Sequence, residues 1–289
     1  MNEPLPFKTD VPLASYCTYG IGGPAAHLLE IHTIEEMQQA FLYCQKHNLR
    51  ALIIGKGSNC LFDDQGFNGA VLINKIDFHE TPSPGIFRVG AGYSFSLLGA
   101  QTARQGWAGL EFASGIPGSV GGAVFMNAGA GGGETATQLQ SVEFVSLNGE
   151  KRTFSKEELS FSYRKSSFQT MQGAIVAATF ALTKDPQARQ RQLEIIAKRT
   201  ASQPYSAKSA GCVFVNPTNG AAGALIDKCG LKGMKVGGAE VSAVHANFLI
   251  NAGQATARDM LALIERVQAH VKDTTGIELH PEIRLIPYE

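Results

Sequence analysis

The sequence has no excess of charge of either sign: 25 Lys and Arg stand against 25 Asp and Glu in 289 residues. Nothing in this balance suggests a nucleic acid or a membrane surface as partner. An anionic ligand must therefore be held locally, by helix N-termini and a few placed cations. The sequence also has no Cys-x-x-Cys pair. Its five cysteines (Cys17, Cys44, Cys60, Cys212 and Cys229) are odd in number and scattered. That pattern argues against a disulfide framework or a zinc site and fits a reducing cytoplasm. The seven histidines are dispersed and form no metal constellation. Long apolar runs are missing too: the longest, Gly173 to Leu182, is about half of what spans a bilayer. Met1 to Pro12 carries acids and prolines without an apolar stretch, so no secretory leader is expected there. There is no internal repeat and no low-complexity segment. The expectation is a soluble cytoplasmic chain with no metal, no nucleic-acid partner and no membrane insertion.

With 44% hydrophobic residues, the chain can bury a substantial core and has the length of about two ordinary domains. Thr33-x-x-Glu36 reads as a capping box, and Met37, Ala40, Phe41 and Cys44 follow with helical spacing. Ala51 to Ile54 reads as a buried strand entering the loop Gly55-Lys56-Gly57-Ser58-Asn59, and Ala70 to Ile73 as another. Further along come a strand at Ile86 to Val89 and a helix from Ser94. Asn148-Gly149 suits a type I′ turn between Val142–Leu147 and Lys151–Phe154. Ser155-x-x-Glu158 caps a short helix, Ile175 to Leu182 is a buried strand, and Lys184-Asp185-Pro186 is a junction before a polar helix through Thr200. After Thr256 a long helix puts Met260, Leu263, Ile264, Val267 and Val271 on one face, and a strand lies near Ile283 to Ile286. The pattern is α+β with a boundary near residue 185.

Two glycine-rich segments have the character of phosphate cradles. In Gly55 to Asn59, glycines let backbone N–H groups approach a pyrophosphate, and Ser58 and Asn59 add side-chain donors. The loop is neither a dinucleotide fingerprint, since Cys60 takes the third glycine position, nor a P-loop. A tight structural turn would look the same. The second segment, Gly106 to Glu134, has ten glycines in 29 residues. Such a backbone lies against something flat or charged, and interleaved Leu110, Phe112, Ile116, Val120 and Val124 argue against a flexible linker. Pro117 is placed to start a helix whose free N–H groups face an anion.

The run from Gly109 to Ala130, GLEFASGIPGSVGGAVFMNAGA, resembles the flavin-binding signature of the UDP-N-acetylenolpyruvoylglucosamine reductases, part of the wider group that includes vanillyl-alcohol oxidase. Gly55 to Asn59 is similar to the family's GGGSN loop, with Lys56 in place of a glycine. Pro12-Leu13 and Ile21 to Pro24 fit the family's start, and the likeness continues to Ile286. The resemblance implies non-covalent FAD, NADPH as hydride donor and UDP-N-acetylglucosamine enolpyruvate as substrate, in peptidoglycan precursor synthesis. It also implies a two-subdomain FAD-binding fold of the vanillyl-alcohol oxidase type (1–77 and 78–185) and a C-terminal α+β substrate domain (186–289). The cofactor contacts it implies are Gly55, Lys56, Gly57, Ser58, Asn59, Ser114, Gly115, Ile116, Pro117, Gly118, Gly121, Gly122 and Ile175.

Three residues would carry the chemistry by this resemblance, and each suits its task. Arg164, in a YRxSxF-like motif, has a permanently charged fork for the substrate carboxylate and the enolate formed from it. Without the motif it would read as a surface arginine. Glu282, in His280-Pro281-Glu282-Ile283-Arg284, resembles the family's PExR strand and would polarise the carboxylate, in protonated form if its site favours that. If this is one strand, Glu282 and Arg284 share a face opposite Ile283 and Leu285. Cys212 stands where the family's SAGSxFxNP motif has its proton-donating serine. A thiol is far more acidic than an alcohol, with an unperturbed pKa of about 8.5, so it can deliver a proton to carbon 2. Apart from the motif it would read as an inert buried cysteine.

Tyr163, Asn216, Lys232, Asn247 and Arg284 fall at positions that resemble substrate contacts, though Lys232 equally suits a solvated surface lysine. His245 reads as a structural histidine. Gly131 replaces a tyrosine of many members and Val215 a lysine. The stretch from Thr200 to Cys212 is too short for the tyrosine-bearing loop, which places the chain in the shorter subclass. The competing readings are a flavin oxidase of the same wider group and a non-catalytic nucleotide-binding protein.

Overall fold

A computed structural model describes residues 5–218 and 220–289. The reading of Met1 to Pro12 falls partly on residues 1–4, outside those described. The described residues divide into two compact units: 5–8, 27–56 and 69–199 form unit 1, and 9–26, 57–68, 200–218 and 220–289 form unit 2.

In unit 1, helix α1 (Ile34–Lys46) starts where the sequence indicates. Thr33 accepts the Glu36 N–H at 3.0 Å and Glu36 reaches back to the Thr33 N–H at 3.2 Å. Met37, Ala40, Phe41 and Cys44 are buried, as their spacing requires. They pack with Leu72 of the strand Phe67–Asn74 and with Val145, Ala174 and Val176 of a second sheet. Ala51–Ile54 pairs in parallel with the Ala70–Ile73 part of that strand. The second sheet has five strands in the order Lys151–Ser155, Leu139–Ser146, Gly173–Ala181, Ile86–Gly90 and His79–Ser83. Helices α2 (Phe95–Arg104) and α3 (Val120–Phe125) contribute Phe95, Leu98, Val120 and Val124 to the core on this sheet. Helix α4 (Ala188–Ser202) carries the chain out of unit 1.

The turn at Asn148-Gly149 differs from expectation. Gly149 N–H bonds to Ser146 O at 2.9 Å and Ser146 N–H to Glu150 O at 3.0 Å. Gly149 has φ +81°, whereas Asn148 is not among the residues with positive φ. One left-handed residue in a three-residue loop is a type I turn with a glycine bulge, not the type I′ turn, which needs two. The difference follows from loop length: Leu147 belongs to the loop rather than to the strand.

Unit 2 centres on helix α6 (Ala257–Thr275), which follows the shorter α5 (Ala222–Lys228). Thr256 and Asp259 form its capping box, and Gly276, at φ +73°, ends it in the left-handed conformation. Met260, Leu263, Ile264, Val267 and Val271 are all buried, each stabilising the fold by about 1.5–3 kcal/mol. They pack with Leu249 and Val241 of a sheet ordered Lys208–Cys212, Phe248–Asn251, Ala239–Val241 and Lys235–Val236. Cys60–Phe62 pairs in parallel with Arg284–Ile286. Among the described residues, no helix is long and apolar enough to cross a membrane and no His, Cys, Asp and Glu group could hold a metal.

Candidate active site

Unit 1 brings together glycine segments that are more than sixty residues apart in sequence. A Cβ added at Gly55 would lie 2.2 Å from Ser119 Oγ, so the end of the Ala51–Ile54 strand abuts the start of α3. Ser119, not Pro117, caps that helix: its Oγ accepts the Gly122 N–H at 3.3 Å. The expectation of a helix starting at Pro117 fails because residues 118–120 are tied to the strand-like stretch before α2. Phe95 N–H bonds to Gly118 O at 3.1 Å and Val120 N–H to Tyr93 O at 2.9 Å.

Most donors of the run are committed. Gly115 N–H bonds to Ser96 Oγ at 2.7 Å, and those of Ile116 and Gly121 to the carbonyls of Ala113 and Ala91. The N–H groups of Gly118 and Ser119 donate to no acceptor among the described residues. Ser114 Oγ is likewise buried without a partner there. A buried hydroxyl and two uncommitted N–H groups on a backbone stripped of side chains are what a flavin nucleotide asks of a protein, so these residues fit FAD. Ile175 is placed differently: its side chain is buried in the core and its carbonyl accepts Asn74 Nδ2 at 2.9 Å.

Arg164 sits at the tip of a two-residue hairpin between Phe161–Ser162 and Lys165–Ser166. Its φ is +60°, a left-handed conformation that costs a non-glycine residue about 1–2 kcal/mol. Such strain persists only when neighbours impose it. The Arg164 Nη2 donates to Gly129 O at 3.1 Å, its guanidinium lies 4.8 Å from the Tyr163 ring centre, and its carbonyl accepts Gln169 Nε2 at 2.9 Å. Asn127 is a residue the sequence reading missed. It is 1% exposed, and its amide reaches Ser162 O, Glu134 Oε2 and Ala136 N–H at 3.0–3.1 Å.

In unit 2, Gly57 has φ +59°, and a Cβ there would come 2.1 Å from Tyr16 O. Asn59 Nδ2 donates to Glu282 O at 3.3 Å, and Arg284 N–H to Asn59 O at 2.9 Å. Asn59, expected to face the cofactor, thus brackets the segment that carries Glu282. The expected alternation there is interrupted. The strand spans only Arg284–Ile286, Ile283 and Ile286 are buried, and Leu285 is 46% exposed. Glu282 precedes the strand and pairs elsewhere, its N–H bonding to Val213 O at 2.6 Å. Cys212 is next to Val213, so candidate acid and candidate carboxylate stand on neighbouring backbone segments.

The remaining expected contacts are engaged within unit 2. Asn216 Oδ1 accepts the Ala222 N–H at 3.0 Å, at the start of α5. Lys232 pairs with Asp227 at 2.8 Å. Asn247 is 2% exposed, and both of its amide atoms bond to the backbone of Phe214 at 2.9 Å. His245 is structural as expected: Nδ1 accepts the Asn247 N–H at 3.2 Å and the ring lies edge-on to Phe248. Burial, with Lys232 adding to it, holds its pKa below the usual histidine value.

Comparison with known proteins follows the same division of labour along the chain. Residues 25–155 match an FAD binding domain family, and residues 203–286 match the UDP-N-acetylenolpyruvoylglucosamine reductase C-terminal domain. A UDP-N-acetylenolpyruvoylglucosamine reductase of Protochlamydia amoebophila is 57% identical, over 100% of this chain and 97% of that protein. One of Chlamydia trachomatis serovar A is 49% identical, over 100% and 99%. The crystal structure of UDP-N-acetylenolpyruvylglucosamine reductase from Thermus caldophilus superposes with a TM-score of 0.84 at 37% identity, covering 97% of this chain and 100% of that one.

Proposed function

Because the chain belongs to the UDP-N-acetylenolpyruvoylglucosamine reductase family, we propose that it reduces UDP-N-acetylglucosamine enolpyruvate to UDP-N-acetylmuramate in peptidoglycan precursor synthesis. Gly55, Lys56, Ser114 and the 115–122 run, with Gly57, Ser58 and Asn59, would hold FAD, which would supply the hydride chemistry linking NADPH to the enolpyruvyl group. The short Thr200–Cys212 stretch supports the reading that the chain is of the subclass without a tyrosine loop.

The chain's own residues handle charge and proton. Arg164 forks onto the substrate carboxylate and stabilises the enolate as it develops. Its hairpin and the Tyr163 ring restrict the guanidinium beforehand, so little rotamer freedom is lost on binding. Glu282 polarises the same carboxylate. Cys212 breaks its S–H bond to give carbon 2 a proton, keeps the electron pair as a thiolate, and regains a proton from solvent. Tyr163, Asn216, Lys232 and Arg284 contact the sugar nucleotide, Lys232 exchanging Asp227 for a diphosphate oxygen.

The observation that carries this reading is the 2.6 Å bond from Glu282 N–H to Val213 O, which sets Glu282 beside the segment bearing Cys212. The test is anaerobic and needs only purified protein. NADPH should bleach the flavin, and the enolpyruvyl substrate should restore its colour. A protein that binds no flavin, or whose reduced flavin ignores that substrate, refutes it.

A further inference from the structure

The strands Lys208–Cys212 and Phe248–Asn251 are not in simple register. Ser209 faces Ile250 and Cys212 faces Phe248, so three steps on one strand oppose two on the other. The extra residue forms a bulge, and Gly211, at φ +78°, lies within it. Bulges re-aim the side chains that follow, here Cys212. Past the bulge, Val213 N–H still bonds to the main-chain oxygen of Asn247 at 2.8 Å. At Phe214 the main chain is replaced by a side chain. Asn247 Oδ1 accepts the Phe214 N–H and Nδ2 donates to Phe214 O, both at 2.9 Å. The carboxamide therefore pairs with Phe214 as a peptide group would. On the same segment, Val213 O accepts the Glu282 N–H at 2.6 Å and Val215 N–H bonds to His280 O at 2.9 Å.

We propose that Asn247 is a positioning residue: its amide supplies a rung of the sheet that sets Cys212 and Glu282 for protonating and polarising the substrate. The inference rests on the roles proposed above for those two residues. A substrate contact at Asn247 would need an exposed face, and the residue is 2% exposed with its Oδ1 and Nδ2 turned to Phe214. An asparagine that merely stabilised the fold would have no reason to act selectively on one half of the reaction.

Asn247→Ala in the FAD-loaded protein should slow reoxidation by the enolpyruvyl substrate by about 100-fold, as ångström-scale misplacement does, with flavin reduction by NADPH within about twofold of normal. Added to Cys212→Ala it should cause no further slowing, because the two act through one group. Amide exchange at Phe214 should accelerate in Asn247→Ala, since that N–H has lost its acceptor. If the alanine variant does not fold, Asn247→Asp serves. It keeps the acceptor for Phe214 N–H, and its reoxidation rate should rise as pH falls, when the protonated carboxyl again donates to Phe214 O. Normal reoxidation in Asn247→Ala, slowing that adds to that of Cys212→Ala, unchanged exchange at Phe214, or a flat pH response in Asn247→Asp would each overturn the proposal. If Cys212→Ala alone turned over normally, the proton-donor role would fall instead. Exchange at Phe214 would then decide the rung by itself.

Discussion

Asn127 donates its side-chain amide to the carbonyl oxygen of Ser162 at 3.0 Å, fastening the flavin-signature run to the hairpin that carries Arg164. Asn127 itself has φ +41° and Arg164 φ +60°, so left-handed residues stand on both sides of the junction. Backbone strain at a hairpin tip persists only because the neighbouring contacts impose it.

Function and stability should therefore part at Arg164. Arg164→Gly removes the Cβ that makes φ +60° costly, so its melting temperature should not fall below that of Arg164→Ala. Both variants should lose reoxidation by the enolpyruvyl substrate by about 10²–10³-fold, with flavin reduction by NADPH largely spared. Glu282→Gln should show the same split, since enolate charge develops only in the second half-reaction. Stopped-flow traces of the separate half-reactions check this, and equal slowing of both would contradict it.

At Cys212 the expectation turns on chemistry the serine relatives share. Cys212→Ser should keep substantial activity and Cys212→Ala lose far more, again in reoxidation only. Stopped-flow rates of the two half-reactions for the three proteins are the measurement. Near-normal turnover by the alanine variant would leave the proton to another donor.

Two other thiols provide an internal control. Burial pushes Cys44 to about 11, and it pushes Cys60 to about 11 against the pull of Arg284. Because burial disfavours the thiolate, both stay protonated between pH 7 and 9 and should resist iodoacetamide in the native protein. Peptide mapping after a short exposure should find label at Cys212, with substrate protecting it, and none at Cys44 or Cys60.

Gly57→Ala tests the cradle. The new Cβ would meet a carbonyl oxygen at 2.1 Å, and φ +59° adds about 1–2 kcal/mol of strain. The variant should purify with little FAD, read from its absorbance spectrum after desalting. The native protein should release FAD on denaturation. Full flavin content in Gly57→Ala would place the cofactor's contacts elsewhere.

Local signals were legible in the sequence. The capping box of Thr33, the helix expected after Thr256 and the apolar stripe from Met260 to Val271 mark α1 and α6 at the right places, because caps and periodicity act within one or two turns. Features that depend on distant partners were not. Pro117 looks like a helix start until residues 118–120 are seen tied to 93–95. Glu282 and Arg284 look like one strand face until Val213 takes the Glu282 N–H. At Asn247 nothing local shows that Phe214, 33 positions away, bonds its amide. The residues proposed to carry chemistry were picked out by motif, whereas Asn127 had no signal beyond its place in the glycine-rich run.

Unit 2 is stitched from three stretches of chain, and its strand Cys60–Phe62 pairs with Arg284–Ile286. On the ribosome this pairing must wait for nearly the whole protein, roughly 10–45 s at about 5–20 residues per second. During that wait Cys60, Leu61 and Phe62, all buried in the finished fold, have no partner strand to cover them. Overexpression without chaperones should therefore leave this short edge uncovered during translation and send part of the nascent chains to aggregates before any flavin binds.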